Sequence, residues 1–166
     1  MNTLELRDTK LFNSPLEIGL RTLFVLNEVY PNTCDLQRLV YYDYLLVHSN
    51  DVDGGPKSIH PDVPHRSSEI LVKRELLKKG LILMSSKELV KPIFNSNGIF
   101  YSATELTEPF LNYLQLEYAN ALRGVAKWLI ETFAGYDDKR LENYIKNNLD
   151  VWGGEFSKES LLRGKI

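Results

Sequence analysis

The residues best suited to chemistry are histidines and aspartates that lie in one segment of the chain. The segment holds all three histidines and several aspartates: His48, His60, His65, Asp43, Asp51, Asp53 and Asp62. Imidazole and carboxylate groups together can ligate a transition metal or act as an acid and base pair. The spacing is not that of a compact zinc site, and histidines bonded to backbone carbonyls would tether a loop equally well. Tethering is the favoured interpretation, and a metal-dependent hydrolase built on these histidines is an alternative.

Sequence motifs of familiar enzyme classes do not occur elsewhere in the chain. There is no G-x-x-x-x-G-K-[ST], G-x-S-x-G, C-x-x-C or H-E-x-x-H pattern, and Gly54-Gly55 and Gly153-Gly154 are isolated pairs. The single cysteine, Cys34, cannot form an internal disulfide, which is typical of the reducing cytoplasm. We therefore expect a protein with no catalytic residue, no metal and no cofactor.

Three predicted helices surround the histidine segment. Ser14 and Pro15 begin the first helix, and the second runs from about residue 34 to 48 with Thr33 or Asp35 as its cap. Ser67 is the predicted cap of the third helix, which continues to about residue 86 because its apolar spacing carries on past Gly80. Between the second and third helices, residues 49–66 contain three prolines and two glycines and show no periodicity. A loop of this length within a compact domain is either functional or disordered.

A β-hairpin follows the third helix. Residues 90–94 and 99–103 flank an Asn-Gly turn signal, and Pro92 places its strand at a sheet edge. Three helices and a hairpin are the order of a winged helix-turn-helix. The predicted fold is mainly α with a small β-hairpin: a winged-helix core over residues 11–103, a C-terminal helical extension over 104–150 and a tail over 151–166.

Basic residues on the third helix are candidate DNA contacts: Lys73, Arg74, Lys78 and Lys79. Two observations oppose direct DNA reading. Residues 43–62 and 104–122 are acidic, and the connection between the second and third helices is far longer than the few residues of a typical reader. A solvated face or a protein contact is therefore favoured, and a winged-helix transcriptional regulator stays an alternative.

The composition fits one globular domain spanning the 166 residues, of which 43% are hydrophobic, and the formal net charge is −2. No apolar run is long enough for a membrane span, and the N-terminus lacks a signal-peptide core. We expect a soluble cytoplasmic protein without membrane contact. The first two helices are apolar beyond one face, and surplus apolar surface of this kind predicts a protein interface.

Three blocks of the sequence resemble a known family: residues 12–21 (FNSPLEIGLR), 35–49 (DLQRLVYYDYLLVHS) and 60–69 (HPDVPHRSSE). They are similar to the middle component of bacterial three-component ABC-ATPase systems, and the resemblance extends over about residues 11–156.

The resemblance implies a small winged-helix accessory subunit, similar to the small subunit of Lamassu-type anti-phage systems. Its implied partners are an SMC- or Rad50-like ABC ATPase and an effector, often a nuclease. Its implied role is to hold the effector on the ATPase and to release or activate it when foreign DNA is sensed, with any DNA contact indirect. The residues within the matching blocks that we expect to form a partner-contact loop are Asp43, His48, His60, Asp62, His65 and Arg66.

Overall fold

The computed structural model of the protein describes residues 14–153. Within this range the chain is mainly helical and carries one small antiparallel sheet, as the sequence predicts. Two short 3₁₀ turns, Ser49–Asp51 and Arg66–Ser68, lie on either side of the long loop. The remaining elements are α1 (Pro15–Val29), β1 (Cys34–Asp35), α2 (Leu36–Val47), α3 (Glu69–Ser86), β2 (Val90–Asn95), β3 (Gly98–Ala103), α4 (Thr107–Asn112), α5 (Glu117–Phe133) and α6 (Asp138–Asn148).

Side-chain caps begin three of the helices. Ser14 accepts a hydrogen bond from the Glu17 amide at the start of α1, and Asp35 caps α2 through the Arg38 amide. Asp137 caps α6 in the same way. The caps of α1 and α2 confirm the predicted helix starts, and each of the three satisfies a backbone N–H that lacks a partner within the helix. The predicted cap of α3 is wrong: the 3₁₀ turn leads directly into this helix, and its N-cap residue, Ser68, makes no capping bond.

Helices α1 and α3 cross with their backbones in contact. A Cβ atom added to Gly80 would lie 2.8 Å from the Pro15 carbonyl oxygen and 2.9 Å from the Gly19 nitrogen. A Cβ atom on Gly19 would lie 3.0 Å from the Gly80 carbonyl oxygen. The helix therefore continues through Gly80, as predicted, since only glycine fits where the two backbones meet.

The hairpin forms as predicted and gains a third strand. Strands β2 and β3 pair from Val90 opposite Ala103 to Asn95 opposite Gly98, and β1 pairs with the other edge of β3. The strand order β1-β3-β2 leaves β2 at an edge, which is where Pro92 can be tolerated. From α1 to β3 the order of elements is compatible with a winged helix-turn-helix, and that closer assignment stays a prediction.

The predicted C-terminal helical extension consists of three helices, α4, α5 and α6, and a break separates the first two. Helix α4 ends at Asn112, Leu116 is extended, and α5 begins at Glu117. Thr107 in α4 donates a hydrogen bond to the Leu89 carbonyl oxygen at 2.8 Å, which fixes α4 at the base of the hairpin. The break separates this anchor from α5, which packs on α1 and α2.

The core lies around α1 and α2. Leu23 and Leu26 of α1 and Tyr44 and Leu45 of α2 are fully buried. Helices α3 and α5 pack against both of them. The second apolar faces of α1 and α2 are therefore largely covered within the chain itself, so the expected partner surface must lie elsewhere. Within residues 14–153 no helix is both long and apolar enough to cross a membrane.

Candidate partner-contact loop

The long loop between α2 and α3 is fixed by its own backbone and hydroxyl groups. The His60 amide donates to the Val47 carbonyl oxygen at 3.0 Å, and the Asn50 amide donates to the Ser58 hydroxyl at 3.0 Å. A Cβ atom on Gly55 would lie 2.1 Å from the Ser49 carbonyl oxygen, so the fold of the loop requires glycine there. The lack of sequence periodicity reflects an irregular but internally bonded loop.

A buried ion pair closes the loop at its C-terminal end. Arg66, which is 4% exposed, donates from Nε to Asp51 Oδ2 at 2.9 Å, and its Nη2 group also bonds this carboxylate. The Tyr44 hydroxyl donates to Asp51 as well, and burial together with this bond raises the pKa of Tyr44. The pair is bidentate and largely shielded from water, so breaking either side leaves a buried charge without compensation.

The C-terminal residues that the structure describes pack against the same ion pair. The Trp152 indole stacks on Tyr44 with ring centroids 5.0 Å apart, and its Nε1 donates to the Asp51 carbonyl oxygen at 3.2 Å. Gly153 has a φ of 80°, and a Cβ atom there would lie 2.8 Å from the His65 nitrogen. Trp152 is 4% exposed, so the predicted tail begins with a buried residue. Residues 154–166 of that tail lie outside the described residues.

A second buried network joins the start of the loop to α1 and α3. Asp43 accepts two hydrogen bonds from Arg21, at 2.7 and 2.8 Å. Lys73 Nζ lies 2.8 Å from Glu69 Oε2 and 3.6 Å from Asp43 Oδ2, and His48 Nε2 lies 3.0 Å from the same Glu69 oxygen. Burial on its own would raise the pKa of Asp43, but Arg21 and Lys73 outweigh it and lower that pKa. Both carboxylates are therefore ionised and paired.

The groups around Glu69 also lower the pKa of its carboxylate, as those around Asp43 do. Burial opposes ionisation of this carboxylate, but the hydrogen bond from His48 and the charge of Lys73 lower the pKa of Glu69 to about 2. The first residue of α3, Glu69, is thus joined by charged contacts to His48 at the end of α2 and to Lys73.

His60 anchors the middle of the loop. It is 7% exposed, and its Nε2 lies 3.1 Å from the Tyr118 hydroxyl on α5. Burial, followed by the charges of Arg21 and Lys73, lowers the pKa of His60 to about 3. The imidazole is therefore neutral near pH 7 and bonded to a neighbouring helix.

The longest continuous exposed stretch of the loop is its tip, although Asn50, Asp53, Gly54 and Lys57 are exposed as well. Residues 61–65 (PDVPH) are all exposed, and the two flanking residues, His60 and Arg66, are buried. His65 has a φ of 56°, a left-handed conformation that is uncommon for residues other than glycine. The carbonyl oxygen of His65 accepts bonds from the Ser68 amide and hydroxyl. A short segment with two prolines is thus exposed between two buried residues, His60 and Arg66.

The six residues predicted for the contact loop divide into two groups. Asp62 and His65 lie in the exposed tip. The other four are buried and hold the loop from inside, so in this conformation their side chains offer no surface to a partner: Asp43, His48, His60 and Arg66. Four further residues of the network were not predicted: Arg21 and Glu69, which lie at the ends of two of the matching blocks, and Tyr118 and Trp152, whose local sequence gives no signal.

The four candidate DNA-contact residues differ in their exposure to solvent. Lys73 is 4% exposed and paired with carboxylates, so its expected role as a DNA contact is wrong for this conformation. Arg74 donates to Gln37 at 2.6 Å. Lys78 lies 3.1 Å from Glu75 on the surface, and Lys79 is exposed.

The histidines do not converge on a shared centre. His48 and His60 have ring centroids 6.3 Å apart and are buried, whereas His65 is exposed. Across residues 14–153 no three histidine, cysteine, aspartate or glutamate side chains are grouped to hold a metal ion. The arrangement of these groups is that of a structural polar network whose contacts position an exposed tip.

Comparison with known proteins assigns the family. The model of the family described as "ABC-three component (ABC-3C) system Middle Component 2" matches residues 11–155, which is most of the chain. The protein therefore belongs to the middle components of ABC three-component systems, which confirms the predicted membership. Searches of curated proteins and of solved structures returned no match.

Proposed function

We propose that this protein is a non-catalytic accessory subunit of an anti-phage defence complex. In this proposal it links an SMC- or Rad50-like ABC ATPase to a nuclease-like effector and regulates activation of that effector in the cytoplasm. Membership among the middle components of three-component systems supports the role of one subunit among several. The identity of the ATPase and effector, the Lamassu-type defence role and the sensing of DNA are parts of the proposal.

The exposed tip of the loop is the observation that carries the proposal. Fixing one backbone residue costs about 1–2 kcal/mol in conformational entropy, and here that cost is met by buried ion pairs beneath the tip. The five residues 61–65 themselves bury little against the fold. A preorganised exposed segment loses little further entropy on binding, which favours recognition by a partner.

Within the proposal, the exposed and buried loop residues have different roles. Asp62, Val63 and His65 supply a carboxylate, an apolar side chain and an imidazole for contact with a partner. Asp43, His48, His60 and Arg66 position that segment without touching the partner. The tip therefore determines affinity, and the network beneath it determines how well the tip is preorganised.

Co-purification of the three components tests the proposal. The variant Asp62→Ala, Val63→Ala, His65→Ala removes the tip side chains and leaves the buried contacts in place. We expect loss of co-purification with the ATPase or the effector and an unchanged melting temperature. Ser96→Ala, Asn97→Ala at the exposed hairpin turn is the matched control. A tip variant that assembles and defends cells as the wild type does would contradict the proposal.

DNA binding by α3 is the second candidate function, because Lys78 and Lys79 are exposed on the helix predicted to read DNA. The exposed apolar residues Leu71, Val72 and Ile82 on the same face disfavour it. Titration of a fluorescent DNA duplex with the protein at low salt tests whether α3 binds DNA. Affinity that falls steeply with salt, and falls again in Lys78→Glu, Lys79→Glu, would support a DNA-binding regulator.

A further inference from the structure

Helix α3 presents an exposed face that combines apolar and cationic side chains. Leu71, Val72 and Ile82 are 84%, 69% and 71% exposed, and Lys78 and Lys79 are exposed between them. Spacings of seven, eight and eleven residues from Leu71 place them on one side of the helix. Glu75 is exposed on the same face and lies 3.1 Å from Lys78, so the face has a small net positive charge. The opposite side buries Leu77, Leu81 and Met84 in the core. We call this face, formed by residues 71, 72, 78, 79 and 82, the basic surface.

A second exposed surface combines apolar residues with carboxylates only. It spans α4 and the start of α5, where Leu106, Tyr113 and Leu116 are 52%, 84% and 72% exposed. Glu105, Glu108 and Glu117 are exposed beside them, and the sequence has no lysine or arginine between residues 104 and 122. Among the described residues no cation forms an ion pair with these three glutamates. We call this region, residues 105–117, the acidic surface.

The two surfaces match each other in chemistry. Each carries three large exposed apolar side chains, and their net charges are of opposite sign: two lysines and Glu75 on the first, three glutamates on the second. Apolar side chains exposed to this extent on neighbouring turns mark contact surfaces, and opposite charges at the rim guide and orient association. Neither surface is suited to bind DNA. Apolar side chains such as Leu71 and Ile82 make no favourable contact with phosphates, and the glutamates repel them.

We propose that a second copy of this chain docks here, with the basic surface of one copy on the acidic surface of the other. Because every copy carries both halves, two copies in a reciprocal arrangement form the contact twice. The inference goes beyond the proposed function, since it concerns self-association and uses residues outside the loop tip. An accessory subunit associated in this way displays two loop tips to its larger partners.

The isolated full-length chain is sufficient for the test. Its mass is measured by light scattering and sedimentation over a dilution series at about 50 mM and about 500 mM salt, since salt screens charges between surfaces. The variant Lys78→Glu, Lys79→Glu reverses the basic surface, and Glu105→Lys, Glu108→Lys reverses part of the acidic one. The control Lys127→Glu, Lys139→Glu makes the same net-charge change as the basic-surface variant, at exposed positions elsewhere.

We expect the wild type and the control to exceed the monomer mass of 19.1 kDa at low salt and to dissociate as salt rises. Each reversed variant alone should associate at least about tenfold more weakly, because like charges then face each other. Mixing the two reversed variants should restore association, because opposite charges face each other again.

Three results would overturn the proposal. The first is a wild type that is monomeric at every concentration and at low salt. The second is association that the reversed variants weaken no more than the control does. The third is a mixture of the two reversed variants that stays monomeric while circular dichroism shows both to be folded. Failure of the protein to co-purify with the ATPase would not change these mass measurements. The proposed function and the proposed self-association can therefore be refuted independently.

Discussion

Two exposed tips of this protein are built in opposite ways. The hairpin tip at residues 95–98 is determined by its own sequence: the Asn95 side chain accepts from the Asn97 amide at 2.8 Å, and Gly98 supplies a φ of 125°. The loop tip at residues 61–65 depends on Asp51 at the other end of the loop, and on Tyr118 and Trp152 from distant parts of the chain. A locally encoded tip is rigid wherever its turn forms, whereas a tip held by distant side chains can be released by a change far from it.

The largest expected effect is on the ion pair under the loop tip. Arg66→Ala leaves the Asp51 carboxylate buried without its bidentate partner, which should cost about 3–5 kcal/mol in the free energy of unfolding. Urea unfolding measures this change. The control, Lys146→Ala, breaks an exposed pair with Glu142 and should leave the midpoint almost unchanged. Equal effects of the two substitutions would show that the loop is not held by its buried pair.

Trp152→Ala tests the contact between the C-terminal residues and the loop. It removes the stacking on Tyr44 and the bond to the Asp51 carbonyl oxygen, and should cost about 3 kcal/mol, as for other buried aromatics. Hydrogen exchange should accelerate in residues 49–66 and stay unchanged in the hairpin. Uniform acceleration across both tips would contradict the distinction drawn between them.

Acid should loosen the loop before the hairpin. The pKa of His60 is lowered from 6.5 to about 3 in the folded protein, and that of Glu69 from 4.5 to about 2. As pH falls below about 6.5 the unfolded chain binds the histidine proton first, so stability decreases by about 1.4 kcal/mol per pH unit for that proton. The decrease continues below about 4.5 as Glu69 contributes in the same direction.

The predicted loss of stability is measured as the free energy of unfolding at several pH values between 7 and 4. The variant His60→Gln keeps a polar side chain without the titration, and its stability should vary less with pH between 6.5 and 4.5. A wild type whose stability is constant over that interval would show that His60 does not titrate on unfolding as described.

The smallest expected effect is at the hairpin. Gly98→Ala places a Cβ atom at a φ of 125°, which should cost about 1–2 kcal/mol. Exchange should increase in β2 and β3 while the loop keeps its protection. If the loop instead lost protection, the two tips would share one cooperative unit.

Much of the fold could be predicted because the signals are local. The caps Ser14, Asp35 and Asp137, the passage of α3 through Gly80 and the edge position of Pro92 each follow from a few neighbouring residues. The division between α4 and α5 and the third strand, β1, could not be predicted. The extended residue Leu116 and the pairing of Cys34 with Tyr101 depend on packing between segments that are distant in sequence.

The sequence by itself determined the family, through the resemblance of three blocks, and most of the order of the elements and the segment of the candidate site residues, through motifs and periodicity. Only the tertiary structure decided which of those residues meet solvent. His48, His60 and Arg66 look equivalent to His65 in a list of residues, yet they are buried because Glu69, Tyr118 and Asp51 supply their partners. A buried polar group is stable only with such a partner, and the partner is chosen by folding in three dimensions.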